Sequence, residues 1–367
     1  MGKFKKVFRS LRDPRANNAQ HNLVEILLIA IAAMLCGAKG ATDMEEFGRD
    51  KEELLRRFLR LEHGVPSHDT FGRVFHALDP GRFEAHFRRF MAAFAKVNRL
   101  ALTGVVAIDG KALRGAYERG QSATPMHMVN VFAAQARLAL ASRKAPGRNE
   151  AAGALEVLGM LRLKRSVVTA DALHCNRPFA TAVLEQGAHY VLALKKNQSK
   201  LHAAVVRRFT KAGPRSTARH HEPSTHDRHE CRTATVIRDK SLAVLQNFPG
   251  IAALGRITSR RRQTGAPSQK PLVRYYLLSK YVSAKTLLEI VRSHWAIENQ
   301  LHWILDVVFD EDGCRVRKDN GPENLAILRR MAFNIIRTHP EKISLRRKIK
   351  RAAWSEAFLI NLLSHMR

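Results

Sequence analysis

Acidic residues are scarce in this chain: 32 Asp and Glu stand against 63 Lys and Arg, a formal charge of +31. An excess of that size, spread along the whole length, points to a polyanionic partner. DNA, RNA and an anionic membrane surface all satisfy it, so the charge names a class of partner and no chemistry. Cysteine is scarcer still. Cys36, Cys175, Cys231 and Cys314 stand alone with no CxxC pair, which argues against a disulfide framework and makes a reducing, cytoplasmic setting the simplest expectation. The longest apolar run, Leu23 to Ala38, is short for a membrane span and carries Glu25, so a buried helix is expected there. The basic stretch before it contains Asp13-Pro14 and exceeds a signal peptide's n-region, so secretion is not expected either. Also missing are a glycine-rich phosphate loop, an HExxH pair and a Gly-x-Ser-x-Gly elbow, which argues against an ATPase, a metalloprotease or an esterase.

What is present is enough apolar residue, 45%, for one large domain or two ordinary ones. From His21 to about Lys96 the apolar residues recur at helical spacing, as in Phe83, Phe87, Phe90 and Phe94, with turn signals at Gly64-Val65-Pro66 and Asp79-Pro80. Ser67 ahead of Phe71 is expected to cap a helix. After Leu100 the pattern changes. Gly104 to Ile108 predicts a buried strand ending on Asp109, Val167 to Ala170 a second ending on Asp171, and Tyr190 to Leu194 a third closing on Lys195-Lys196-Asn197. Met126–Phe132 and Ala136–Ser142 are further strand candidates, while Asn149–Leu161 and Arg177–Gln186 have helical spacing. The polar, alternating segments between about Ser199 and Lys285 predict a β-rich insertion. Helical periodicity returns from Ala284 through Phe309 and again from Glu323 to Arg337, before a tail dense in Lys and Arg. Alternating strands and helices make the core a mixed α/β one.

Two acids closing buried strands can share the crevice at the strand ends. A third, Glu298, falls on a predicted helix whose stripe of Ile297, Leu301, Ile304, Leu305 and Val308 faces the core. His294, Glu298, His302 and Asp306 follow at four-residue steps along its margin. Three carboxylates can hold two Mg²⁺ ions about 3.5–4 Å apart, one activating the attacking oxygen and one steadying the leaving oxygen of a phosphodiester. A bland reading stands beside this one: an Asp after a strand is more often a turn or cap, and Glu298 alone could be a solvated helix acid. His220, His221, His226, His229 and Cys231 invite a zinc site, but their spacing fits no common zinc module and a polar loop is the favoured reading.

Read as words, the segments around the three acids are more specific. Ala107-Ile108-Asp109-Gly110-Lys111-Ala112-Leu113-Arg114-Gly115, Val168 to Cys175, Tyr190 to Gln198 and His294 to Asp306 resemble the H-repeat-associated transposases of bacterial insertion sequences, the ISAs1 type. So do Asp13-Pro14-Arg15, Cys36-Gly37-Ala38, Phe47-Gly48-Arg49, Pro66 to Phe71, Asp310 to Arg317 and Pro322-Glu323-Asn324, in one order over nearly the whole chain.

The resemblance implies a ribonuclease H-like core carrying an Asp-Asp-Glu triad, in which Asp109, Asp171 and Glu298 hold Mg²⁺, or Mn²⁺ in its place. It also implies a helical domain over residues 1–98, a catalytic domain over 99–340 with the β-rich insertion at about 199–285, and a basic helical tail over 341–367. Double-stranded DNA is the implied partner, a homodimer on that DNA the implied assembly, and the nucleoid the implied place. Lys111, Arg114, Lys195, Lys196, Asn197 and His294 lie beside the predicted strand ends or the Glu helix as phosphate-contact candidates. Arg260-Arg261-Arg262 and Arg346-Arg347-Lys348 are candidates for general backbone contact. Trp295 or Trp303 could stack on an unpaired base, although packing is the commoner role. Where related Glu helices often carry Arg four residues before the acid and Lys seven after, this chain has His294 and Leu305, so those contacts do not carry over. A transposase descendant that only binds DNA and a nuclease without strand transfer are the rival readings.

Overall fold

The structure, a computed structural model, describes residues 2–100, 102–117, 124–211, 216–221, 228–245, 247–263, 270–364 and 366. Six helices come first: α1 (Gly2–Phe8), α2 (Leu23–Leu35), α3 (Ala41–Asp50), α4 (Glu52–Arg56), α5 (His68–Ala77) and α6 (Pro80–Val97). Their starts are chemically marked. Asn22 accepts the Val24 N–H at 2.9 Å, Ser67 Oγ accepts the Thr70 N–H at 3.4 Å, and Asp79 accepts the Arg82 N–H at 2.6 Å with Pro80 in the first turn. Helix α2 buries every residue except Val24 and Glu25. Each fully buried Leu or Ile there contributes roughly 1.5–3 kcal/mol. Among the described residues no helix is long and apolar enough to cross a membrane.

The rest alternates as expected: β1 (Val105–Tyr117), β2 (Pro125–Ala133), β3 (Leu138–Lys144), α7 (Glu150–Gly159), β4 (Val167–Ala170), α8 (Arg177–Glu185), β5 (His189–Leu194), α9 (Ser199–Lys211), β6 (Ser216–His221), β7 (Arg228–Arg238), α10 (Ser241–Leu245), β8 (Ala253–Gln263) and β9 (Leu272–Leu278). Five helices close the chain: α11 (Ala284–His294), α12 (Trp303–Val307), α13 (Gly321–Thr338), α14 (Leu345–Trp354) and α15 (Glu356–Ser364). Among the described residues nine strands form one mixed sheet in the order β3-β2-β1-β4-β5-β9-β8-β7-β6. Strands β1, β4 and β5 are parallel, in register Val105↔Val167↔His189 through Ile108↔Ala170↔Leu192, and every other pair is antiparallel.

Three local features differ from the sequence expectation, and one adds to it. Strand β1 does not end at Ile108 but runs on to Tyr117, because β2 keeps pairing with it (Gly110↔Val129, Leu113↔Met126) after β4 has stopped. The expected polar strands after Ser199 are continuous with the core sheet: β9 pairs with β5 at Leu194↔Tyr275 and carries β8, β7 and β6 outward. The same stretch opens with a helix, α9, whose Leu201, Val205 and Phe209 face the core. Finally, the helix expected from Ala284 to Phe309 is interrupted: α11 ends at His294, and a five-residue π-turn over Glu298–His302 precedes α12. Such wide turns insert one residue into the helical register and recur at functional sites.

The residues expected as a basic tail are packed. Phe358, Leu359, Leu362 and Leu363 of α15 join α2, α5, α6 and α13 in one apolar cluster. Arg346 donates to the Val307 carbonyl at 3.2 Å, and the buried Lys348 ammonium caps the end of α13 through the His339 and Ile336 carbonyls at 2.7 and 3.3 Å. Lys348, expected to meet DNA, is therefore spent inside the protein. At the sheet's first edge, the Asn334 amide takes both backbone groups of Ala139, accepting its N–H at 2.9 Å and donating to its carbonyl at 2.8 Å.

Candidate catalytic site

Parallel pairing from β1 to β5 brings three chain segments to one margin of the sheet. Asp109 is the first residue of β1 beyond its pairing with β4, Asp171 directly follows β4, and Lys195-Lys196 directly follow β5. Glu298 opens the π-turn. All of these line a single cavity of about 640 Å³. Thr169, His294 and Trp295 share its wall, and the start of β9 closes the far side with Leu272, Val273 and Arg274.

The charges in this cavity feel one another. Burial, followed by the Asp171 and Glu298 charges, pushes the Asp109 carboxyl up to about 7, with Glu150 adding to the shift and the Gly110 N–H opposing it. Asp171 Oδ1 accepts the Leu173 N–H at 2.9 Å. Among the described residues no three His, Cys, Asp or Glu side chains stand in position to hold a metal ion, so the acids share a field without converging on one point. As a donor set they fit a divalent cation in kind: hard oxygens whose mutual repulsion a cation would relieve.

A fourth carboxylate escaped the sequence reading. Glu150, the first residue of α7, pairs with His127 Nδ1 at 2.7 Å, and its carboxyl lies so close to Gly110 that a Cβ there would meet it at 2.5 Å. The glycine directly after a strand-borne Asp was the signal available. Histidines back the acids. His302 Nδ1 lies 3.8 Å from Asp109, while its Nε2 is 3.2 Å from the Asn130 amide nitrogen. Because Asn130 Oδ1 accepts from Arg330 at 2.7 Å, its NH₂ must point at the ring, which leaves the imidazole proton on the side of Asp109. Burial first, then Arg330 and Lys111, push the His302 pKa down to about 3. His174, buried, lies 4.0 Å from Asp171.

The phosphate-contact candidates separate. Lys195 and Lys196 are exposed on the cavity wall. Asn197 holds the loop after Asp171 in place, donating to the Ala172 carbonyl at 2.8 Å. His294 bonds Thr169 Oγ1 at 3.1 Å, and burial pushes its pKa down to about 4, so it offers no positive charge to a phosphate. Lys111 is buried between Asp306 at 2.6 Å, Asp312 at 3.0 Å and Glu311 at 3.8 Å, tying β1 to the segment after α12; a phosphate contact does not fit this position. Arg114 is 82% exposed beside Asp312.

Arg260, Arg261 and Arg262 continue β8 past Ser259, the partner of Leu272, and so extend the same sheet margin. Arg274 lies over the Trp295 ring at 5.5 Å, whereas Trp303 is 57% exposed. Of the zinc candidates, His226 lies outside the described residues. Cys231 Sγ is 3.9 Å from His221 Nε2 across the β6–β7 pair, and His220 contacts Arg292.

Residues 101–335 match the family described as "Transposase DDE domain", and residues 5–91 the one described as "DDE_Tnp_1-associated". The Escherichia coli protein named "H repeat-associated putative transposase YhhI" is 31% identical over 94% of this chain and 93% of its own length. "Putative protein YbfL" of the same species is 31% identical over 95% of this chain and 94% of its own. A further relative from that species, named "Inactive transposase YbfQ", is 43% identical over 15% of this chain and 64% of its own.

Proposed function

Since the chain belongs to the DDE-domain transposase family, we propose that it cleaves DNA at the ends of an insertion sequence and joins the freed 3′ ends to target DNA, with Asp109, Asp171 and Glu298 as its metal-binding triad. The observation that carries this reading is that three acids, far apart in the chain, line one cavity, where burial and then the Asp171 and Glu298 charges raise the Asp109 pKa. The order β3-β2-β1-β4-β5, with Asp109 on the central strand of the five, supports a ribonuclease H-like core.

In this reading Asp109, Asp171 and Glu298 would hold divalent cations such as Mg²⁺, which when bound would supply activation of the attacking oxygen and charge relief on the leaving oxygen. The chain's own groups do the rest. Lys195 and Lys196 draw the backbone to the cavity, and Arg260 to Arg262 continue that positive track along the sheet margin. His302 and His294, both held neutral, orient their neighbours without competing for the cation. One site runs hydrolysis and transfer by turns, since both are in-line displacements at phosphorus. Bringing two element ends together calls for two copies of the chain on the DNA.

The test is incubation of the protein with its element's end sequence, Mg²⁺ and a target plasmid. Joined products support the proposal. Cuts without joining reduce it to a nuclease, and salt-sensitive binding without cutting makes this copy a silent descendant like its relative named inactive. Asp109→Asn is expected to abolish cutting while leaving DNA binding intact; cleavage retained by that variant removes Asp109 from the site.

A further inference from the structure

A second cavity, of about 660 Å³, lies among the helices that precede β1. Its wall is cationic from two separate stretches: Lys5 of α1 and Arg9 just after it, and Arg56, Arg57 and Arg60 from the end of α4 and the turn beyond it. Glu52 takes up the charge of Arg56, accepting from its Nε at 2.9 Å and its Nη2 at 2.7 Å, but the acids in the wall itself leave the other four cations standing. Glu25 turns both oxygens to backbone, accepting the Arg60 N–H at 2.8 Å and the Leu61 N–H at 3.3 Å. Glu62 meets Arg60 only at 3.6 Å, with both side chains exposed, a geometry that contributes little.

The cations are held in place. Phe4 and Phe8 stack at 4.4 Å and meet Phe90 and Phe83 at 5.6 and 6.0 Å, which pins α1. Lys5 donates to the Phe58 carbonyl at 2.6 Å, and Arg56 to the Arg60 carbonyl at 3.2 Å, which ties the turn to α1. Arg9 and Arg57, by contrast, are exposed and make no ion pair or side-chain hydrogen bond among the described residues. His21 and His63 complete the rim, and the His21 pKa is held below its usual value by burial first, then by Arg15 and His63, with Glu25 opposing.

We propose that this cavity is a second DNA-contact site, gripping the phosphodiester backbone of a duplex apart from the cavity where the carboxylates meet. It rests on the reading of the chain as a DNA-processing protein. Forked guanidinium groups on a fixed wall match phosphate oxygens. Four cations, Lys5, Arg9, Arg57 and Arg60, spread over two sides of an open cleft exceed what one small anion needs and suit successive phosphates.

The experiment is fluorescence-anisotropy binding of duplex DNA by the full chain in chelator, across a salt series. Arg9→Gln/Arg57→Gln is compared with Arg162→Gln/Lys164→Gln, a charge-matched pair at exposed positions before β4. The first pair is expected to make the slope of log K against log salt shallower by about 2, at roughly 0.9 per phosphate contact, and the control pair to leave it near wild type. The single variants, each expected to remove about half of that change, decide the matter if the double variant loses its melting transition. An unchanged slope, or an equal change in the control, overturns the second site alone. Failure of the wild-type chain to bind duplex overturns the underlying DNA reading instead.

Discussion

Glu311 and Arg330 are sealed from solvent together, 2.6 Å apart, and Arg330 also reaches Asn130, which faces His302 behind Asp109. A charge left alone there has no water to turn to. Glu311→Gln is therefore expected to cost about 3–5 kcal/mol of unfolding free energy, measured by urea titration; a loss below 1 kcal/mol would show that the pair is hydrated. Asp109 gives a prediction of the opposite sign. Its pKa rises from 3.8 to about 7 on folding, so the folded chain keeps a proton that the unfolded chain gives up, and stability falls as pH climbs through that interval. In chelator, Asp109→Asn should raise the melting temperature at pH 8, and the gain should fade as pH drops toward 4. That Asp109, Asp171 and Glu298 would line one cavity was legible because their neighbours form recognisable words. The fates of Lys111 and Lys348 were not: the partners of Lys111 lie some two hundred residues away, and a buried Lys reads like an exposed one until packing is known.

Among the elements, strands with clean apolar runs were legible and their ends were not, since the apolar run stops at Ile108 while pairing to β2 continues. Helix α9 carried helical spacing that its polar surroundings masked, and a π-turn leaves no mark in a periodicity count. The extension of β1 has a measurable consequence. A Cβ at Gly115 would lie 2.4 Å from the Cys314 carbonyl oxygen and 2.6 Å from that of Asp312, both backbone atoms that cannot swing aside. Gly115→Ala is expected to cost about 1–3 kcal/mol and to loosen the segment that Lys111 ties to β1. Hydrogen exchange at residues 310–317 would reveal that loosening; unaltered protection would mean that the two backbones part freely.

At the scale of the whole molecule, first and last helices share a core. Because α14 and α15 cover α2, removing residues 341–367 should bare an almost wholly apolar helix. The truncated chain is expected to aggregate or to lose its cooperative melt, whereas a soluble product with an unchanged melting temperature would make those residues a dispensable appendage. Charge acts on the same scale. Replacing Arg260, Arg261 and Arg262 together by Gln should lower the salt dependence of DNA binding by up to about 0.9 per lost phosphate contact, and no change in slope would place the DNA elsewhere. From sequence, net charge told the partner class; which cations gather at one margin depended on strand order, which only the fold supplies.

The sheet, finally, is finished at its β3 flank. By occupying both peptide groups of Ala139, the Asn334 amide of α13 acts as a stopper where a tenth strand would otherwise zip on, so a sister molecule pairing there would first have to dislodge it.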